Sequence, residues 1–339
     1  MLREQRKGYR KLLYLMRQAR VGMIGLAMVA FVLSMALLAP FLSPKSPLEQ
    51  NLPARLKPPF WEEKTDPQYK LGTDQVGRDL LSRLIYGSRI SLSVGFLTMA
   101  FSALLGITLG ILAGYYHGPL DSIISNCVNI MMSFPYILLA ISVMAAAGPG
   151  YRNLVLVLGL TGWPIYTRLV RAEVIELKSR DFVTAARALG GRNSGVILKH
   201  ILPNLASSII VLSTFELARM IIRESFLSFL GLGIQPPMAS WGGMLAEGRS
   251  YMLNLWWLAA IPGSAIFFTT LGINLMGDGL RDWLDPHTSN RLIKCGIMNA
   301  ECGINQLRIS ECGVRNKKNG TERPKAKNQI VCSQGYQFC

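Results

Sequence analysis

Four ionisable residues interrupt an otherwise apolar run in the second half of the chain: Glu216, Arg219, Arg223 and Glu224. Glu216, Arg219 and Arg223 are spaced i, i+3 and i+7, which puts them on one face of a helix. Charges inside a membrane segment are costly, so they face a bundle interior or a wet cavity. Two readings follow. The face borders a path across the membrane, or Glu216 and Arg219 form an internal ion pair. Chemistry of the catalytic kind has little to work with. There is no G-x-x-x-x-G-K-[ST] phosphate loop, so the chain does not hydrolyse nucleotide through that chemistry itself. No Ser/His/Asp, H-E-x-x-H or C-x-x-C arrangement occurs, and the histidines are His117, His200 and His287. No catalytic residue and no metal ligand set is assigned, and no cofactor is expected in this chain.

A second polar segment lies between two apolar runs, Asp181 to Asn204, DFVTAARALGGRNSGVILKHILPN. Asp181 suits an N-cap, and Phe182 to Leu189 is a run of good helix formers. Ala185 and Ala186 leave a smooth surface that another protein can approach closely. Gly190 and Gly191 suit a helix C-terminus that needs positive φ. Ser194 begins a second helix that closes at Leu202 and Pro203. The spacing predicts an elbow, Asp181 through Pro203 with Thr184 on its first helix, shaped to sit in a partner's groove. The competing reading is an ordinary amphipathic loop between spans.

These segments need a membrane to hold them, and the composition supplies one. Half of the 339 residues are hydrophobic (50%), 17% are charged, and the mean hydropathy is +0.29. Six apolar runs, near 21–42, 90–115, 123–147, 154–170, 206–232 and 255–275, each approach the roughly 20 residues that cross a bilayer. An all-α membrane protein of six transmembrane helices is expected. The third run carries Pro135 and the fourth Pro164. The net charge of +16 does not point to nucleic acid. The basic residues gather at the termini and between the fourth and fifth runs, as the positive-inside rule predicts for cytoplasmic segments. The expected organisation is a basic cytoplasmic N-terminus (1–20), a first span (21–43), an extracytoplasmic loop (44–88) and a core (89–286). The core holds five spans and the cytoplasmic loop 171–204. Trp241, Trp256 and Trp257 read as an outer aromatic belt. Residues 287–339 are polar, with Cys295, Cys302, Cys312, Cys332 and Cys339 but no C-x-x-C pair. A disordered extension is expected there, with both termini cytoplasmic.

The elbow resembles the cytoplasmic coupling loop of bacterial ABC importer permeases. Three further stretches carry the same resemblance: LGTDQVGRDLLSRLIYGSRISLSVG (71–95), TGWPIYTRLVRAEV (161–174), and ESFLSFLGLGIQPPMASWGGML (224–245) followed by NLMGDGLRDWLDP (274–286). Together they resemble the dipeptide/oligopeptide/nickel group, in its second permease type. The resemblance implies an ABC importer type I permease bundle in the bacterial inner membrane. It implies a heterodimer with a second permease, two ATP-binding subunits that use ATP and Mg, and an extracytoplasmic substrate-binding protein. Asp181, Thr184, Ala185, Ala186, Gly190, Leu202 and Pro203 are then expected to couple to the ATP-binding subunit. The family has Glu where this chain has Thr184. Glu216, Arg219, Arg223 and Glu224 are the candidates for the translocation path, with di- or oligopeptides as the expected cargo. Nickel or another small solute is the alternative cargo. A membrane-embedded enzyme or scaffold is the alternative of a different class.

Overall fold

The computed structural model describes residues 2–63 and 66–284, with side chains from Arg20 onward. The tail 287–339 with its five cysteines, and the basic side chains of the N-terminus before Arg20, lie outside the described residues.

The chain is helical throughout its described spans. It opens with α1 (Leu2–Leu37) and the single turn α2 (Ala39–Leu42). The first span therefore ends at Leu37 and not at Leu42, because Pro40 has no N–H to continue the ladder. A loop with little regular structure leads to α3 (Leu80–Tyr116), which starts earlier than its apolar run suggested. Asp79 caps it, its carboxylate accepting from the Ser82 N–H at 2.9 Å.

The third run is not one straight span. It forms α4 (Pro119–Ser133) and α5 (Tyr136–Ala147), bent by 88° at the break. Phe134 takes an extended conformation (φ −90°, ψ 134°). A residue before proline avoids the α region, and Pro135 imposes that here. Among the described residues, five single helices are long and apolar enough to cross a membrane, and six crossings result if the bent pair is one broken span.

Next come α6 (Tyr151–Lys178), the short α7 (Asp181–Ala188) and α8 (Asn193–Val196). A π turn over Ile197–Ile201 joins α8 to α9 (Leu202–Phe229). The second elbow helix was expected to stop at Pro203. Instead the wide turn precedes the proline, and the helical path continues into the next span. The short α10 (Trp241–Gly248) and the last span, α11 (Trp257–Leu284), complete the bundle.

The central pair is α3 with α6. Gly106, Gly110 and Gly114 recur every four residues along α3 and lie against Tyr166, Val170 and Val174 of α6. A Cβ on Gly110 would meet Val170 Cβ at 2.8 Å. Small residues at this spacing let two membrane helices touch backbone to backbone. Val94, Met144, Leu154, Leu158, Met220 and Leu227 fill the space among α3, α5, α6 and α9. At the end opposite the elbow, Val32, Leu80, Trp241, Met244 and Leu258 form a second apolar cluster.

Trp241 does not stand in an aromatic belt. It is fully buried, and its indole N–H donates to the Leu84 carbonyl at 2.9 Å. Trp257 is also buried, whereas Trp256 is half-exposed and stacks on Trp61 at 6.3 Å.

Candidate functional site

The elbow is built from the joint between α6 and α7. The α6 helix stops at Lys178, and Arg180 in an extended conformation serves as the N-cap of α7. Asp181 is therefore the first helical residue rather than the cap, and its side chain makes no capping bond. Its charge still complements the helix N-terminus. The C-terminus of α7 follows the expectation closely. Gly190 has φ +81°. Its N–H donates to the Arg187 carbonyl at 2.9 Å, and the Gly191 N–H donates to the Ala186 carbonyl at 3.1 Å. That pair of bonds is a Schellman closure, which needs positive φ at the first glycine.

One face of the elbow is anchored and the other is free. Val183, Val196, Ile201 and Leu205 are buried against Val170 and Val174 of α6 and Tyr115 of α3. Asp181, Thr184, Ala185 and Gly190 are exposed, Ala186 is half-buried, and Phe182 and Leu189 add apolar surface, Leu189 at 89% exposure. Leu202 is half-buried and Pro203 exposed, at the start of α9. A helix that leaves a bulky leucine in the open while its valine is sealed has two distinct faces.

Tyr115 is the residue that sequence reasoning missed. Its hydroxyl donates to Asn193 Oδ1 at 2.8 Å. Its carbonyl accepts from Lys178 Nζ at 2.6 Å, and the Arg187 guanidinium lies 4.8 Å from its ring centre. One side chain thus ties α3 to both elbow helices. Its sequence signal was an aromatic at a span end, which many interfacial tyrosines share.

The membrane charges separate into two sites. Glu216 is fully buried, and Arg219 Nη1 donates to its Oε1 at 2.6 Å. Arg223 Nη1 stands 3.9 Å from the other oxygen. This is the internal ion pair foreseen as one reading, formed along a single helix. Arg223 also lies over the Tyr136 ring, 4.5 Å from its centre, at the start of α5. Glu224 does not join them. It is sealed among hydroxyls, accepting from Ser228 at 2.8 Å, Ser225 at 3.2 Å and Ser91 at 3.4 Å. Its carboxylate points into the packing of α3 against α9 and away from any surface of this chain, so the grouping of four residues reduces to three.

A further charged cluster was not anticipated. Arg78 Nε bonds Asp74 at 2.6 Å and its Nη2 bonds Glu247 at 2.9 Å. Arg83 Nη1 bonds Asp74 at 2.5 Å and its Nη2 bonds Glu247 at 3.0 Å. The loop before α3, the first turn of α3 and α10 are joined by these four side chains. Among the described residues no cluster of His, Cys, Asp and Glu has the makings of a metal site.

Residues 106–290 match the model of the binding-protein-dependent transport system inner membrane component. Residues 13–59 match the N-terminal TM domain of oligopeptide transport permease C. The dipeptide transport system permease protein DppC of Haemophilus influenzae is 42% identical over 270 residues, covering 80% of this chain and 92% of that one. The di/tripeptide transport system permease protein DppC of Pseudomonas aeruginosa is 42% identical, covering 78% and 88%. The glutathione transport system permease protein GsiD of Pectobacterium atrosepticum is 45% identical over 64% of this chain and 72% of its own. Among solved structures, the inward-facing MetNI methionine ABC transporter superposes with a TM-score of 0.51 at 18% identity, over 60% of this chain and 96% of that one. The likeness to that transporter is one of fold, and the sequence relationship places the chain in a family. The chain belongs to the binding-protein-dependent inner membrane components, the multi-pass permease subunits of bacterial ABC importers, in which ATP is hydrolysed by separate subunits.

Proposed function

We propose that this chain is one of two permeases in an importer of short peptides across the bacterial inner membrane. Two ATP-binding subunits dock on the cytoplasmic side, and an extracytoplasmic binding protein delivers the cargo. The cargo reading is supported by the relatives, whose names are those of dipeptide, di/tripeptide and glutathione permeases. The coupling reading rests on one observation. The elbow is locked to α3 and α6 on one face and bare on the other.

Asp181, Thr184, Ala185, Ala186 and Gly190 form the docking surface, with Phe182 and Leu189 as its apolar anchors. A small residue at Ala185 lets the ATP-binding subunit approach. Thr184 brings a neutral hydroxyl to that surface, so docking here does not depend on a carboxylate at that position. Leu202 and Pro203 pass movement of the elbow into α9. When ATP closes the partner dimer, the elbow moves as a rigid piece and the bundle turns outward. The N-terminus lies in the cytoplasm, and the loop before α3 with α10 lies outside.

Reconstitution of the whole complex in proteoliposomes tests this. Uptake of radiolabelled dipeptide or tripeptide is expected only with ATP inside and loaded binding protein outside. ATPase subunits that co-purify, with hydrolysis insensitive to any peptide-loaded binding protein and no peptide uptake, would remove the peptide reading.

A further inference from the structure

Arg219 lies about 15 Å along the α9 axis from Phe229, at about 1.5 Å per residue. That depth is well inside a membrane helix. Its side chain nevertheless keeps 56% of its exposure in this chain. Of its donors only Nη1 is hydrogen-bonded among the described residues, to Glu216. The second Glu216 oxygen is buried without a hydrogen-bond partner and serves Arg223 at 3.9 Å. Two guanidiniums against one carboxylate leave a formal excess of one positive charge. A charge at this depth does not face acyl chains; it faces water or protein.

A second observation marks the same neighbourhood. The backbone is broken at Phe134–Pro135, and Met132 through Pro135 are exposed. Non-helical backbone within a membrane survives only inside protein or against a water-filled cavity. Tyr136, the first residue after the break, carries Arg223 on its ring. The unbalanced charge and the broken backbone therefore share one face, which meets water or protein.

We propose that Arg219 is a carboxylate subsite on the translocation path, engaging the C-terminal carboxylate of a passing peptide. This rests on the peptide reading above. The free edge of the guanidinium presents two parallel N–H donors, the geometry that carboxylates accept in a fork. Glu216 and Arg223 are positioning residues. Glu216 holds the other edge of Arg219 and offsets part of its charge, which keeps the hold on a substrate weak enough for release. Arg223 fixes the triad to the bend in the third crossing.

The test uses the complete complex in nanodiscs. Binding of trialanine and of trialanine amide is measured by saturation-transfer NMR. The free acid is expected to bind about tenfold more tightly than the amide, as a charge-assisted fork does over a neutral end. In Arg219→Gln that preference should fall below about twofold, while Arg219→Lys keeps part of it as a point charge. A wild type that treats acid and amide alike overturns the proposal, as does Arg219→Gln with the preference intact. Loss of the second permease from purified Arg219→Gln also overturns it, because the carboxylate would then belong to the partner. Uptake of radiolabelled trialanine by the wild type separates the two ideas. Uptake without acid preference sinks the subsite alone, and failure to take up any peptide sinks the peptide reading and this one with it.

Discussion

Tyr115 shows what one residue can do at the end of a long helix. It bonds Asn193 on α8, receives Lys178 from the end of α6, and lies under Arg187 of α7. Tyr115→Phe removes one neutral hydrogen bond, about 1 kcal/mol. The fold should survive, and the elbow should loosen. Uptake per ATP hydrolysed in proteoliposomes should fall severalfold while hydrolysis itself stays near wild type. Equal uptake per ATP would mean that the hydroxyl does not stiffen the elbow. At Ala185 the expectation is steeper. The side chain is exposed on the proposed docking face, so Ala185→Trp adds bulk without touching this chain's core. Co-purification of the ATP-binding subunit should drop at least tenfold, with membrane levels of the permease unchanged. Normal co-purification would move the docking surface elsewhere.

The elements carry two further expectations. The glycine stripe of α3 allows α6 to come within backbone contact. Gly110→Val inserts a branched side chain where a single Cβ already meets Val170 at 2.8 Å. Overpacking of this kind costs about 1–3 kcal/mol. The thermal midpoint of the detergent-solubilised permease should fall, and an unchanged midpoint would mean that α3 and α6 do not meet there. At Gly190 the argument is conformational. With φ +81° the position disfavours any residue with a Cβ, at about 1–2 kcal/mol. Nothing stands within 4 Å of a Cβ placed there, so Gly190→Ala tests the backbone alone. It should fray the end of α7, read as faster amide exchange over α7 and α8 with the membrane helices unaffected.

Across the whole molecule, the four-charge network holds the longest-range side-chain hydrogen bonds among the described residues. Asp74 and Glu247 are far apart in sequence and are bridged by Arg78 and Arg83. Buried pairs are poor sources of net stability, but removing one partner strands the other charge at about 3–5 kcal/mol. Arg83→Met alone should therefore lower the thermal midpoint more than Arg83→Met combined with Glu247→Gln. If the double variant loses as much as the two single variants added together, the residues do not act as a unit. The network joins the loop before α3 to α10. It therefore holds the end of the bundle opposite the elbow as one body.

The sequence by itself determined what depends on composition and near spacing. Apolar runs set the number of crossings, because hydrocarbon requires long stretches without charge. The Gly190 closure and the Glu216–Arg219 pair were legible because each acts within five residues along a helix. The tertiary structure decided everything that needs a distant partner. Trp241 is buried because a carbonyl 157 positions away accepts its N–H. Glu224 is held by hydroxyls of its own helix and by one on α3, 133 positions away. Pro135 announced a break, but packing chose a bend of 88° rather than a mild kink. Pro203 looked like a stop, and the π turn before it carried the helix through. Local rules name the residue that interrupts a helix; the neighbours that take up the freed groups decide what the interruption becomes.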